Sequence, residues 1–583
     1  MYNLGRHVEN AAGKVVAFAR HPVKDRPDES FLVRRWPDLT ATCVATVFFW
    51  LSLTPSLVPR PWLLQGVIGG ITAAIGYAVG SVLSSLFRAV VHRRPSERTR
   101  MRCWQVYWVL SPVMAVWLIS ESAHMQRQLR ALQGLPPSLT WHTPMIALIA
   151  VAIWLLILLA ARAIRLGSSK LIHGLDKLLP RPVAVGIGLL LSAMIVTVGL
   201  RDVVFDRGVI DVADRIAKAT NFGTKEGIGK PTSRFVSGGP DSLIRWQDLG
   251  LQGRNFTGSA LTSEKITDHT GRPAKDPVRV YISSSAPEAF SEDEPFKAQA
   301  QLAVRELKRT GAFDRKVLAI AGTTGSGWID ANVAESLEYM YGGDTAMVAV
   351  QYSYLPSWVS FLVDKEKAGE ATRELVSAVR EELAALPADR RPKLAVTGES
   401  LGGYAIEDSF GSVDALLRGT DGALLLGVPN FSPVSEELRA RRDEGSPVWR
   451  PQFEDGRNVR FAQFPEKDLK RPPAAWGHPR VVYLQNASDP IVWWSPDLLF
   501  KRPQWLNKPL GPDITPEINW FPFVGFWQTT VDMAVSYGVD APHGHRYGAG
   551  SVDGWAAVLP PEGWTDRDTE RLREFIAGRK TPY

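Results

Sequence analysis

Long, uninterrupted apolar stretches crowd the first 205 residues of the chain, whereas the remainder alternates short apolar runs with charged, helically spaced ones. Five stretches approach the roughly 20 residues that a helix needs to cross a hydrocarbon core of about 30 Å: Ala41 to Val58, Leu64 to Phe87, Cys103 to Ser120, Pro144 to Ile164 and Val183 to Leu200. Arg162, near the end of the fourth, is the one charged residue in them. A soluble bundle would show a polar stripe at 3.6-residue spacing, and Ile146 to Leu159 (IALIAVAIWLLILL) has none. The pattern therefore predicts an N-terminal all-α transmembrane bundle of about five helices over 39–205, preceded by a polar, amphipathic segment, 1–38, with no apolar core or cleavage site of a signal peptide.

Loop charge orients the bundle. Lys and Arg number seven in 1–38, six in 88–102 and five in 162–181, while the alternate loops hold only Arg60, then Arg127 and Arg130. The excess of positive charge belongs on the cytoplasmic side, so the N-terminus is expected in the cytoplasm of a multi-pass cell-membrane protein. After five crossings the rest of the chain is expected to be extracytoplasmic.

From 277 to 583 the periodicity changes to that of a mostly parallel α/β sheet. The strands expected are Val278 to Ser283, Lys316 to Ala321, Ala346 to Tyr352, Lys393 to Thr397, Gly422 to Leu426 and Arg480 to Leu484. Helical patterns such as Phe296 to Arg309, Asn332 to Met340 and Lys365 to Leu386 separate them. Residues 206–276, Gly-rich and polar apart from the amphipathic run Val209 to Thr220, read as linker and lead-in. Ser432 to Pro479 and the aromatic, Pro-rich Trp494 to Val539 read as excursions over the sheet, without strands.

Composition narrows the chemistry. The 583 residues carry a net charge of +7 from 67 basic and 60 acidic side chains, too balanced for a generic nucleic-acid binder. Two cysteines, Cys43 and Cys103, both in apolar stretches, exclude a disulfide framework and a cysteine zinc cluster, and no His or acidic cluster has metal-ligand spacing. No cofactor or metal is expected.

The strongest local signal is KLAVTGESLGG at 393–403, which places Ser400 at the join of a strand and a helix, with glycines at 398 and 402. A serine on such a sharp turn sits in strained backbone and needs small residues two positions before and after it. Serine becomes a nucleophile only when a base takes its proton and a third group orients that base. Downstream histidines are His478, which precedes a strand and so sits at the wrong end of the sheet, and His543 and His545 in APHGHRYG. His545 is the expected base, with His543 as its alternate. Asp489, in NASDPIVWW just past a strand, is the best placed carboxylate and the expected orienting acid; an Asx turn before Pro490 is the lesser alternative.

The order Ser400, Asp489, His545 is that of α/β-hydrolases. The chain resembles the actinobacterial α/β-hydrolase proteins with a multi-pass N-terminal membrane domain, through SLTPSLVPRPW at 52–62, AIAGTTGSGWID at 319–330, TGESLGG at 397–403, NASDPIVWW at 486–494 and APHGHRYG at 541–548. The resemblance implies a serine-hydrolase-type site and no particular substrate.

A tetrahedral oxyanion needs two backbone donors: Leu401, after the nucleophile, and Thr323 or Thr324 in the loop Gly322 to Gly327. That loop fits neither a dinucleotide fingerprint nor a phosphate-binding loop with its lysine. Trp493, Trp494, Trp505, Trp520, Phe521, Phe523, Phe526 and Trp527 suggest an acyl pocket, a lipid-facing surface or ordinary core. The expected activity is acyl-ester cleavage by an esterase or lipase-like enzyme on a lipid or other acyl-ester substrate. Acyl transfer to a cell-envelope lipid or sugar, and a non-catalytic scaffold or transporter, are the alternatives.

Overall fold

The computed structural model describes residues 38–91, 96–139, 142–199, 201–202, 210–287, 291 and 293–583. The expected amphipathic segment 1–38 falls outside these apart from Asp38, as do Arg93 and Arg94 of the second basic loop. Two compact units divide the chain. One holds the N-terminal helices through Val203 together with 496–502 and 515–532; the other holds 204–495, 503–514 and 533–583.

In the first unit each of the five apolar stretches contributes a helix: α1 (Leu39–Ser52), α2 (Trp62–Val90), α3 (Glu97–Leu132), α4 (His142–Leu175) and α5 (Arg181–Val198). Among the described residues four of these, α2 to α5, are long and apolar enough to span a membrane; α1 has only 14 residues. The stretch from Ala41 to Val58 breaks because Pro55, Pro59 and Pro61 cannot supply helical N–H donors. Small residues let α2 approach its neighbours closely. A Cβ on Gly70 would lie 2.5 Å from Ile153 Cβ of α4, and one on Gly80 2.7 Å from Ala41 Cα of α1.

The loop between α1 and α2 is held by side chains. Gln65 Nε2 donates to Ser52 O (2.9 Å), Ser122 Oγ to Leu53 O (2.8 Å) and Gln133 Nε2 to Leu57 O (2.7 Å). From the distant segment of the same unit, Gln528 Nε2 donates to Thr54 O (3.0 Å), and Asp532 Oδ2 accepts from Leu57 N (3.1 Å). Arg60 Nε lies 3.6 Å from Asp532 Oδ1, and neither side chain has any exposed surface. The 52–62 motif is thus a loop whose buried backbone groups are satisfied by side chains instead of a ladder.

In the second unit a seven-stranded sheet runs β1 (Val278–Ile282), β2 (Val317–Gly322), β3 (Thr345–Val350), β4 (Lys393–Glu399), β5 (Gly422–Leu426), β6 (Val459–Ala462) and β7 (Arg480–Leu484), in the order β1-β3-β2-β4-β5-β7-β6. Every pairing is parallel. Runs such as VLAIAG, TAMVAV and GALLL are buried along their whole length, because parallel strands are covered on both faces. Helices Pro295–Arg309, Lys365–Ala385 and Leu401–Phe410 pack in series, as do Ala331–Met340, Gly550–Val558 and Asp566–Gly578. Six strands fall where the sequence puts them. β6 corrects the expectation that 432–479 holds none: its four residues include Arg460, whose guanidinium disguises a buried strand by bonding the carbonyls of Gly456, Leu469 and Ala474. Residues 210–276, expected as linker and lead-in, hold helices Asp211–Asn221, Gly250–Gly258 and Ser263–Thr270 and bridge β1 through Val236 and Arg279.

Candidate active site

Parallel strands all end on one edge of the sheet, and the candidate residues follow four of those ends: Thr323 after β2, Ser400 after β4, Gly427 after β5 and Asp489 beyond β7. Ser400 has φ 55° and ψ −125°, a strained conformation for a residue with a Cβ. Its N–H donates to Leu426 O (2.9 Å), which ties the turn to β5. The flanking glycines are dictated by close approach. A Cβ on Gly398 would lie 2.4 Å from Gly402 C, and one on Gly402 2.2 Å from Gly322 O. The helix Leu401–Phe410 begins at once, leaving the Leu401 N–H among the orphan donors of its first turn.

Asp489 is wholly buried and uses both oxygens. Oδ1 accepts from Ile491 N (2.9 Å), the Asx turn that its proline neighbour suggests. Oδ2 accepts from His545 Nδ1 (2.6 Å) and from Tyr547 Oη (2.6 Å). An acceptor-only carboxylate on Nδ1 fixes the proton there, so Nε2 of the neutral ring carries the lone pair. Among the described residues Nε2 has no hydrogen-bond partner, although His545 is only 1% exposed. The His545 loop is fastened on both sides: His545 N donates to Ser536 O (2.9 Å), and Asn486 Nδ2 donates to Gly544 O (2.9 Å) and Arg546 O (2.8 Å).

His543, two residues away, faces a different acid. Its Nδ1 lies 2.9 Å from Asp513 Oδ2, which also accepts from Ser488 Oγ; Ser488 Oγ in turn accepts from Gly544 N (2.8 Å). The two histidines of HGH therefore belong to two His–Asp pairs, and Asp489 is paired with His545. In the Gly-rich loop Thr324 N donates to Trp328 O (3.1 Å), which leaves Thr323 as the better placed of the two amides to meet an oxyanion.

A second carboxyl cluster, missed from the sequence, adjoins the histidine. Glu399 Oε1 lies 4.0 Å from His545 Nε2 and accepts from Tyr537 Oη (3.1 Å). Burial first, then the charge of Asp330, push the Glu399 carboxyl well above the usual carboxylate range. Burial also raises Asp330, which caps the helix Ala331–Met340 by accepting from Asn332 N (2.8 Å). Glu399 is the variable position inside the serine motif itself, where a charged residue at a buried strand end is the visible signal.

The aromatic run divides between the two compact units. Trp493, Trp494 and Trp505 belong to the sheet unit, whereas Trp520, Phe521, Phe523, Phe526 and Trp527 belong to the helical one. Trp493 and Trp505 are buried, with ring centroids 6.2 Å apart, and Trp494 packs edge-on to Phe361 at 5.4 Å. Trp494, partly buried, packs against the hydrophobic core of the sheet. His478 precedes β7, at the opposite end of that strand from Asp489. Among the described residues no three His, Cys, Asp or Glu side chains converge as a metal site.

Residues 278–572 match the alpha/beta-hydrolase family, and residues 53–260 match the N-terminal region of the same family. No curated protein and no solved structure matches the chain. With half of its length covered by the family and a parallel sheet carrying the serine turn, the chain belongs to the α/β-hydrolase family.

Proposed function

We propose that this protein is a membrane-anchored serine hydrolase that cleaves an acyl ester on the extracytoplasmic side. The observation that carries the reading is His545, bonded through Nδ1 to Asp489 and holding Nε2 unpartnered, in a sheet whose Ser400 occupies a strained strand-to-helix turn. In this reading the Ser400 Oγ–H proton passes to His545 Nε2 as Oγ attacks the acyl carbon. Leu401 and Thr323 N–H groups stabilise the oxyanion, and Asp489 stabilises the imidazolium. The imidazolium then protonates the departing alkoxide, and water repeats the sequence to release the acid.

Two arguments support the side. Loops flanking α2 to α5 keep the charge asymmetry noted above, which assigns the loop between α1 and α2 to the outside whether or not the short α1 crosses. Four spans are an even number, so the chain beyond α5 returns to the side of that loop. Gln528 and Asp532 must be on that side to bond it.

Near-complete closure of the site, with Ser400 6% and His545 1% exposed, favours acyl transfer to an alcohol as a second reading, because water is held out until a substrate opens the way. The test is labelling of the detergent-solubilised protein with a fluorophosphonate. Ser400→Ala is expected to abolish it and His545→Ala to slow it by about 10⁴-fold or more, while His543→Ala stays within tenfold. Undiminished labelling in His545→Ala would remove the assigned base. Added alcohol that raises ester turnover and appears in the product would select transfer over hydrolysis.

A further inference from the structure

Two carboxyl groups flank one imidazole, and a third adjoins one of them. Asp489 bonds Nδ1 (2.6 Å), Glu399 stands 4.0 Å from Nε2, and Asp330 adjoins Glu399. A charged Glu399 would place an anion beside the one ring nitrogen that must accept the proton of Ser400. We propose that Glu399 is a positioning residue for His545: Glu399 and Asp330 share one proton, Glu399 carries it, and the uncharged carboxyl leaves Nε2 free as a base. The inference rests on His545 as the general base.

The geometry supports this assignment from several elements. Glu399 ends β4 with its side chain 5% exposed, and Oε2 is buried without a hydrogen-bond partner among the described residues, a costly position for a charged oxygen. Burial raises Asp330 too, but its carboxylate accepts from Asn332 N at a helix N-terminus, a partner that favours its charged form and that Glu399 Oε2 lacks. Tyr537 Oη donates to Glu399 Oε1 and favours the charged form, opposing burial. Its ring also stands edge-on to His545, with centroids 5.0 Å apart at 88°, so one side chain touches both partners. Two adjoining buried carboxyls do not both ionise, and in this proposal the proton of the pair sits on Glu399, whose Oε2 receives no N–H or O–H donor among the described residues.

Infrared difference spectra of the full-length protein in an ester-free detergent test this without reference to activity. Wild type minus Glu399→Gln is expected to show the carbonyl band of a protonated carboxylic acid at pH 7. The band is expected to vanish at higher pH in Tyr537→Phe, which loses the donor that stabilises the carboxylate, and at lower pH in Asp330→Asn, which keeps the helix cap but removes the charge. In the pH profile of phosphonate labelling, Glu399→Gln is expected to leave the acid limb within about 0.3 unit of wild type, because a neutral group replaces a neutral group. Absence of the band at pH 7, or an acid limb that falls by one unit or more in Glu399→Gln, overturns the proposal. Normal labelling of His545→Ala would instead sink the catalytic reading, whatever the band shows.

Discussion

A methyl group at Gly427 should disable the site while leaving the fold in place. Gly427 follows β5 with φ +52°, and its N–H donates to Leu484 O (3.0 Å). A Cβ there would lie 2.5 Å from His545 Cε1 and 2.7 Å from Nδ1. Carbon atoms pack at about 3.5–4.0 Å, so the ring must withdraw by about 1 Å. The imidazole has little room to do so, being held by the 2.6 Å bond to Asp489 and flanked by Tyr547, itself only 2.8 Å from the new atom. Withdrawal by that amount breaks the Nδ1 bond. A misplacement of about 1 Å costs roughly 10²-fold in rate, and loss of the imidazole's orientation up to about 10⁴-fold. Left-handed backbone adds about 1–2 kcal/mol of strain for any residue with a Cβ. Gly411, with φ +73° and nothing within 4 Å of its Cβ position, isolates that second effect. The assay is the second-order rate of fluorophosphonate labelling beside the thermal midpoint of each variant. Gly427→Ala is expected to label at least 10²-fold more slowly than Gly411→Ala at a similar midpoint. Rates within threefold of each other would refute the placement of His545 as the working base.

Other consequences are independent of that one. Asp532→Ala leaves Arg60 buried without its carboxylate and strips Leu57 N of its acceptor, so it is expected to destabilise the helical unit by about 3–5 kcal/mol; a thermal midpoint equal to wild type in detergent would refute the buried pair. Asp553, 7% exposed and bonded to Arg573 Nη1 (2.6 Å), is pushed up to about 6 by burial. An unfolded aspartate releases its proton near 3.9, so the folded state binds more protons between about 4 and 6; stability from this group is full below that window and falls as pH rises through it, by about 3 kcal/mol. Asp553→Asn should therefore gain on wild type between pH 4.5 and pH 7, and a pH-independent difference between the two would contradict this. For orientation, with Cys43 and Cys103 replaced by serine, an impermeant maleimide should label exposed Ser138→Cys on intact cells and exposed Lys177→Cys only after permeabilisation. The reverse pattern would invert the topology.

The parallel strands were legible because strands covered on both faces read as continuous apolar runs, and the serine turn was legible because close backbone approach leaves only glycine at 398 and 402. What stayed hidden depends on partners distant in sequence. β6 is masked by Arg460, whose charge is spent on carbonyls up to 14 residues away. The choice between His543 and His545 turns on Asp513, which comes from an irregular excursion where no periodicity fixes position. The 52–62 string was conspicuous, yet its purpose depends on Gln528 and Asp532, more than 470 residues downstream. The aromatic run from Trp493 to Trp527 looked continuous, but the chain passes from one compact unit to the other within it. Glu399 lay in the motif itself, and only burial beside Asp330 and His545 reveals what surrounds it.

The most direct test of an activated serine outside the membrane is labelling of intact cells with a membrane-impermeant fluorophosphonate, comparing wild type with Ser400→Ala and with lysed cells. The expected result is labelling of wild type on intact cells and none of the variant before or after lysis. Labelling of wild type only after lysis would contradict the extracytoplasmic placement, and no labelling of folded wild-type protein in either sample would contradict the serine-hydrolase function itself.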